Sequence, residues 1–161
     1  MPHHRVFVAL GSNVEPEIHL PAAVEGLRQQ FGELRLSPLY RSAAVGSSGP
    51  PFHNAAVVFA TALEPRHLKY RVLRPLEESL GRVRQADRNA PRTIDLDIAL
   101  HGDLVVSEAG LRIPDPEILT RAHVALPLAD LAPQLVHPVD GRPLAEIAAP
   151  FRHQAGVERL P

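Results

Sequence analysis

The chain has no cysteine, no tryptophan, one methionine and a single lysine, Lys69. Without cysteine there is no disulfide, no thiolate zinc site and no cysteine nucleophile. Aromatic residues make up 4% of the sequence, too few for the stacking platforms of a sheet that reads single-stranded RNA. An excess charge of one sign is missing too: 17 Lys and Arg face 18 Asp and Glu, a formal net charge of −1. That balance excludes a coat for bulk nucleic acid or an acidic membrane. No apolar run approaches the ~20 residues that span a bilayer. The first residues lack the apolar core of an export signal, so a cytoplasmic protein is expected. The nine histidines show no HxxxH or HExxH spacing, which leaves zinc catalysis without a ligand set. There is no internal repeat and no low-complexity tract.

What is present is ordinary for a globular chain: 161 residues, 45% hydrophobic and 22% charged. Residues 1–161 are read as one domain. Apart from Lys69 the 17 basic residues are all arginine, whose planar fork of donors suits phosphate and carboxylate. Seventeen prolines predict many short connections.

Arg5–Leu10 is a short apolar run, expected to be a buried strand. Gly11-Ser12-Asn13 ends it, with Ser12 and Asn13 as candidate helix caps. A phosphate loop there lacks the Walker and dinucleotide spacings. Ile18, Ala22, Leu27 and Phe31 mark an amphipathic helix closed by Gly32. Leu34–Val45 reads as a strand interrupted at Pro38, and Phe52–Leu63 as a strand rich in Val and Ala. Pro65 opens a helix through Leu68, Val72, Leu76 and Leu80, with a kink expected at Pro75. Thr93–Leu100 is a strand, His101-Gly102-Asp103 a turn and Leu104–Val106 a return strand. Asp115-Pro116-Glu117 is a helix start with Asp115 as N-cap. The remainder is expected to be helical, broken at Pro127, Pro133, Pro138 and Pro143. The order strand–helix–strand–strand–helix–strand predicts an α+β fold with a ferredoxin-like antiparallel sheet, an extra hairpin strand and C-terminal helices. Helices on one face would leave the other free for a ligand.

The segment Arg92-Thr93-Ile94-Asp95-Leu96-Asp97-Ile98 carries the most chemistry. Alternate residues of a strand share a face. Ile94, Leu96 and Ile98 therefore point to the core, and Asp95 and Asp97 lie side by side on the other face. Such a pair repels unless something positive lies between. A hard divalent cation such as Mg²⁺ answers that need through oxygen ligands and retained water. A charged strand edge that resists aggregation is the alternative. Arg82, Arg84, Arg88 and Arg92 precede the pair, and carboxylate-bound metal beside arginine is a recurring phosphoryl-transfer assembly. An isolated run of this kind would be a solvated loop. Phe52 and Asn54 share a strand face by period two. They suit a flat heterocycle, the ring stacking and the amide bonding its edge, or a core aromatic with a strand-end amide.

Four segments in order are Ala9-Leu10-Gly11-Ser12-Asn13, Phe52-His53-Asn54-Ala55-Ala56, Gly81-Arg82-Val83-Arg84 with Pro91 to Asp97, and Pro127-Leu128 with Ala132-Pro133. Together they resemble the 6-hydroxymethyl-7,8-dihydropterin pyrophosphokinases of folate biosynthesis. The resemblance implies that ATP gives its β,γ-pyrophosphoryl group to the pterin hydroxymethyl and AMP leaves. It implies two Mg²⁺ ions held through Asp95 and Asp97. It implies Arg82 and Arg92 as catalytic arginines on the phosphates. Glu77, Arg84, Arg92, Ile98, Arg112 and Arg121 are implied for ATP, with Ile98 touching adenine through its backbone. Ser42, Ala43, Val45, Phe52, Asn54, Asn89, Asp95 and His123 are implied for the pterin. The implied partners are ATP and the dihydropterin, with no nucleic acid, no membrane and a monomeric state. Four positions depart from the common family pattern. Asn89 stands where a Trp often covers the pterin, His123 where a Phe often stacks and Asp115 where a His often contacts ATP. Gly110 replaces a basic residue, with Arg112 near enough to substitute. A ligand-binding sensor of the same fold, which forms no AMP, is the competing class.

Overall fold

A computed structural model describes residues 2–44, 49–83 and 91–161 of the chain. The first apolar run becomes β1 (His4–Ser12), the hub of the main sheet. β4 (Phe52–Thr61) pairs with it on one side and β5 (Asp95–His101) on the other, both antiparallel. β3 (Tyr40–Ser42) extends the sheet beyond β4, and β8 (Val157–Arg159) closes it, in the order β5-β1-β4-β3-β8. β2 (Arg35–Leu36) also pairs with β4. The break expected at Pro38 thus divides one strand into two short ones with a common partner.

Successive side chains of β1 point to opposite faces. Val6, Val8 and Leu10 pack with Leu20 and Leu27 of α1 (Pro16–Phe31) and with Leu68 and Leu73 of the following helical segment. Phe7 packs the other way, with Val58, against α4 (Ala122–Leu131) and α5 (Leu144–Ala148). The expectation of an open sheet face is therefore corrected in part: C-terminal helices cover it around Phe7, while the stretch at Ala9 and Gly11 lines a cavity. Eight of the ten residues of α4 are buried, so it is a core helix. That burial outweighs the hydrogen bond lost at Pro127, which sits inside α4 instead of ending it.

The segment after Pro65 consists of α2 (Pro65–His67), a π-helical stretch (Leu68–Leu73) and α3 (Arg74–Ser79). The expected kink at Pro75 takes this form. Proline has no N–H for the carbonyl four residues back, and just before it the ladder slips to a five-residue step, Arg74 N–H donating to Lys69 O. Leu68 and Leu73, five apart, are both fully buried. A regular α-helix would turn them to different faces.

Other expectations change as well. Neither Ser12 nor Asn13 caps α1: the residue before it is Glu15, at φ 44°, and Ser12 Oγ donates to Val14 O. Leu104–Val106 is not a return strand on β5. β6 (Val106–Glu108) and β7 (Leu111–Ile113) form their own two-stranded sheet, turning at Gly110 with φ 77°. Asp115 does cap, accepting from the Glu117 N–H at 2.9 Å, but a 3-10 turn (Pro116–Leu119) follows and α4 begins separately. β8 lies where helix was expected, and it covers the free edge of β3. No helix among the described residues is long and apolar enough to cross a membrane.

The C-terminal turn is tied to the sheet through Tyr40. Its hydroxyl donates to Asp130 and accepts from Arg152 at 3.1 Å, and Arg152 meets Asp130 at 2.9 Å. Tyr40→Phe leaves the largely buried Asp130 short of a donor and should cost about 1–2 kcal/mol in chemical denaturation. Arg41→Ala, which removes the exposed pair with Glu158, should cost less than about 1 kcal/mol. Equal losses would show that the buried network adds nothing.

Candidate active site

Strand register builds the site. Asp95 lies opposite Gly11, Gly11 opposite Asn54 and Asn54 opposite Tyr40, one row across β5, β1, β4 and β3. In the next row on this face Asp97 lies opposite Ala9, and Ala9 opposite Ala56. Along β1 the side chains of this face shrink from Phe7 to Ala9 to Gly11. Phe7 fills the core, and the two small residues leave space over the central strand. A Cβ at Gly11 would stand 3.4 Å from Asn54 Oδ1 and 3.6 Å from a Phe52 ring carbon, so a larger side chain would close that space. The result is a cavity of about 230 Å³. Its walls include Ser42, Ala43, Phe52, Asn54, Arg92, Asp95, Asp97, Arg121 and His123. A second cavity of about 250 Å³ shares Asp97 and Asp115 with the first and is also lined by Ile98, Arg112, Lys69 and Gly110.

Most of the residues named from sequence thus meet at two adjoining cavities, though not all. Arg82 lines neither. Its Nη1 donates to Ile94 O at 2.9 Å and lies 3.4 Å from Asp95 Oδ1. Glu77 also lines neither, and at 1% exposure it offers no surface for the direct nucleotide contact expected of it. Both its oxygens accept from Arg74 at 3.0 Å, and Oε2 accepts the Leu96 N–H at 2.7 Å. Arg82 and Glu77 hold the carboxylate strand in place. Val45, Arg84, Arg88 and Asn89 lie outside the described residues. Asn54 spends its amide nitrogen on Ser42 Oγ at 2.8 Å and Tyr40 O at 3.3 Å.

The two aspartates are not neutralised alike. Asp95 sits between two guanidinium groups, Arg92 at 3.1 Å and Arg82 at 3.4 Å. Asp97 has Arg74 at 3.9 Å. Enclosure at the cavity wall pushes the Asp97 carboxyl up to about 8, with Asp95, Asp115 and Glu77 adding and Arg74 opposing. The Asp97 side chain is 46% accessible and lines both cavities. Burial pushes Asp115 up to about 6. The Glu117 and Asp95 carboxylates add to this, against the Glu117 N–H and Arg112. Burial pushes His123 below its ordinary value, helped by Arg121 and opposed by Glu117, so its ring is neutral at pH ~7.

Sequence reasoning missed the working role of Asn13. It is 4% exposed. Its Oδ1 accepts the Arg92 N–H at 2.8 Å, its own N–H donates to Arg92 O at 3.2 Å, and Nδ2 donates to Pro50 O at 3.3 Å. One side chain pins the backbone of Arg92 and the approach to β4. Its partner is distant in sequence, and no spacing pointed to it. Arg74 was also missed, although Arg74 and Glu77 stand at ion-pair spacing on a helix.

The Asp97 shift gives a signed prediction. An unfolded aspartate titrates near ~3.9, whereas the folded one does so near about 8. The folded state therefore binds more protons between those values, and stability falls as pH rises through that window. In chelator, Asp97→Asn should raise the thermal midpoint, and the gain should grow from about pH 4 to about pH 8. A variant less stable than wild type at the upper end would contradict this. Asn13→Ala should cost about 1–3 kcal/mol by leaving the buried Arg92 N–H without its acceptor. It should also lower turnover, because Arg92 loses its fixed position; unchanged turnover would remove that role.

Comparisons with known proteins place the chain among its relatives. The family described as 7,8-dihydro-6-hydroxymethylpterin-pyrophosphokinase matches residues 7–133. The 2-amino-4-hydroxy-6-hydroxymethyldihydropteridine pyrophosphokinase of Pseudomonas aeruginosa is 43% identical, over 98% of this chain and 97% of its own. The folic acid synthesis protein fol1 of Pneumocystis carinii is 37% identical over 87% of this chain and 19% of its own longer one. A solved triple mutant of Plasmodium falciparum HPPK-DHPS superposes with a TM-score of 0.77 over 98% of this chain at 14% identity, and this chain spans 48% of its length. Identity along almost the whole length of the bacterial relative, together with the match over residues 7–133, places the chain in the 7,8-dihydro-6-hydroxymethylpterin-pyrophosphokinase family.

Proposed function

We infer that the chain transfers pyrophosphate from ATP to the hydroxyl of 6-hydroxymethyl-7,8-dihydropterin, releasing AMP, in folate biosynthesis. One observation carries the reading. Asp97 lines both cavities, between a wall of Phe52, Asn54 and His123 in the first and a wall of Ile98 and Arg112 in the second. A pterin in the first and ATP in the second would bring hydroxyl and phosphates together at the carboxylates. The hydroxymethyl oxygen then bonds to the β-phosphorus, the bond from that phosphorus to the α,β-bridging oxygen breaks, and the hydroxyl proton is released.

The donor set suits Mg²⁺. Asp95 and Asp97 offer carboxylate oxygens, and among the described residues no group of three or more His, Cys, Asp or Glu could hold a metal alone. That fits an ion which keeps water and takes substrate phosphates as ligands. Two such ions on Asp95 and Asp97 would supply neutralisation of the phosphate charge. The chain's own residues do the rest. Phe52 and the neutral His123 stack on the ring, Asn54 bonds its edge, and Ser42 and Ala43 complete the wall. Arg92 and Arg121 reach the phosphates; Ile98 and Arg112 hold the nucleoside. Arg82 fixes Asp95 and the Ile94 carbonyl, and Glu77 fixes the Leu96 backbone between the two aspartates. Positioning and charge neutralisation supply the acceleration, so no side-chain nucleophile is needed. The strand order around β1 supports a ferredoxin-like core. Residues 1–161 are read as one cytoplasmic, monomeric domain.

Protein, Mg²⁺, ATP and the hydroxymethyl dihydropterin should yield AMP. Binding of both substrates without AMP would favour a non-catalytic sensor. Asp95→Ala and Asp97→Ala should each remove nearly all turnover, since losing a metal carboxylate takes away several kcal/mol of transition-state stabilisation. Near-normal turnover in either would defeat the assignment.

His123→Ala should weaken pterin binding by about 1 kcal/mol, and His123→Phe should restore it. Burial already disfavours the charged ring. Wild-type affinity should therefore be flat above neutrality and fall in acid, where the Phe variant stays flat. Equal affinity in wild type and His123→Ala would exclude stacking.

A further inference from the structure

Lys69, the chain's lone lysine, has no part in the account above. It sits in the π-helical stretch and lines the second cavity with Ile98, Arg112, Asp97 and Asp115. Its ammonium donates to the carbonyl of Gly110 at the β6–β7 turn. Among the described residues no carboxylate pairs with it. An ammonium has three donors, so a partly buried cation stands at the cavity wall with donors to spare.

Gly110 makes room for this arrangement. A Cβ there would stand 3.0 Å from the Tyr70 hydroxyl and 3.9 Å from Lys69 Nζ, and the φ of 77° is one that side chains rarely adopt. A side chain at this position would be strained and would displace the Tyr70 hydroxyl. The cation beside the turn comes from the helix instead. Two acidic groups, Asp97 and Asp115, line the same cavity and offer a polyphosphate no donor of their own, so a second positive group beside Arg112 has a clear electrostatic use.

We propose that Lys69 is a nucleotide-binding residue whose ammonium donates to ATP in the second cavity, supplying from the helix the positive charge that Gly110 lacks. The proposal rests on the pyrophosphokinase reading. The competing role is structural, a cap on the hairpin turn, with Nζ also 5.3 Å from the Tyr70 ring centre.

Calorimetric titration of ATP, without pterin, into wild type, Lys69→Met and Lys69→Arg separates the two. Lys69→Met should weaken ATP binding about tenfold or more, the worth of a charge-assisted hydrogen bond. Lys69→Arg should recover most of that loss, while pterin affinity and the thermal midpoint stay unchanged. A structural cap would instead lower the midpoint of Lys69→Met and leave ATP affinity alone. A second readout uses the lysine's uniqueness. Limited acetylation followed by mass spectrometry can modify only Lys69 and the amino terminus, which serves as the internal reference. ATP should slow acetylation of Lys69, and pterin should not. ATP affinity in Lys69→Met equal to wild type, or acetylation indifferent to ATP, overturns the proposal. If wild type forms AMP while these tests fail, only the role of Lys69 is lost. If wild type forms no AMP, the pyrophosphokinase reading falls and takes this proposal with it.

Discussion

Two carboxylates separated by one residue on a β-strand cannot turn away from each other. Asp95 and Asp97 are in that position, and much of the surrounding structure answers the repulsion. The strand is held down by Ile94, Leu96 and Ile98, all buried on the opposite face. Burying each is worth roughly 2–3 kcal/mol. Repulsion between two charges a few ångströms apart is of order a few kcal/mol at an effective dielectric of ~20, so the apolar face wins. Arginines then reduce what is left. Arg82 and Arg92 flank Asp95, and Arg74, itself anchored on Glu77, stands beside Asp97. The asymmetry leaves Asp97 as the less compensated of the two acids, with its carboxyl pushed up to about 8, facing both cavities.

The same strand explains where the site stops. Between Val8 and Phe7 the register with β5 shifts, Ile98 pairing with Val8 and Leu100 with Phe7. Ala99 is the extra residue, a β-bulge. Beyond it Leu100 joins the core under α4, on the side that the aspartates face. The carbonyl of Ala99 is thereby free for another partner and accepts the Asp115 N–H at 2.9 Å, which carries Asp115 to the wall of the site. A single irregularity separates a strand end built for charge from a strand middle built for packing.

The parts of this arrangement that were legible in sequence are local in origin. Period-two alternation from Ile94 to Ile98 needs only the chain itself, as do Gly32 after α1 and Asp115 before Pro116. The family resemblance supplied roles for residues, but not contacts: Arg82 donates to the Ile94 carbonyl and Glu77 accepts the Leu96 N–H, and no spacing says so. Asn13 was opaque because its partner Arg92 is 79 positions away. β8 was opaque because two of its three residues are exposed. A short, mostly exposed strand has no apolar pattern, and it exists because β3 offers an unpaired edge.

Gly110 brings no charge to the wall of the second cavity, and Asp115 brings a carboxyl group. Two cations stand against it, Lys69 at the cavity wall and Arg74 beside Asp97, and both belong to the helical segment that Pro75 disturbs. The five-residue step from Arg74 to Lys69 lets Leu68 and Leu73 share the core while Lys69 faces the hairpin turn. Had the ladder kept its four-residue step, Lys69 and Leu73 would lie on one face, and burial of Leu73 would draw the lysine toward the core. A proline inside a helix is ordinarily a cost in hydrogen bonding; here the distortion beside it sets the direction of a cation at the site.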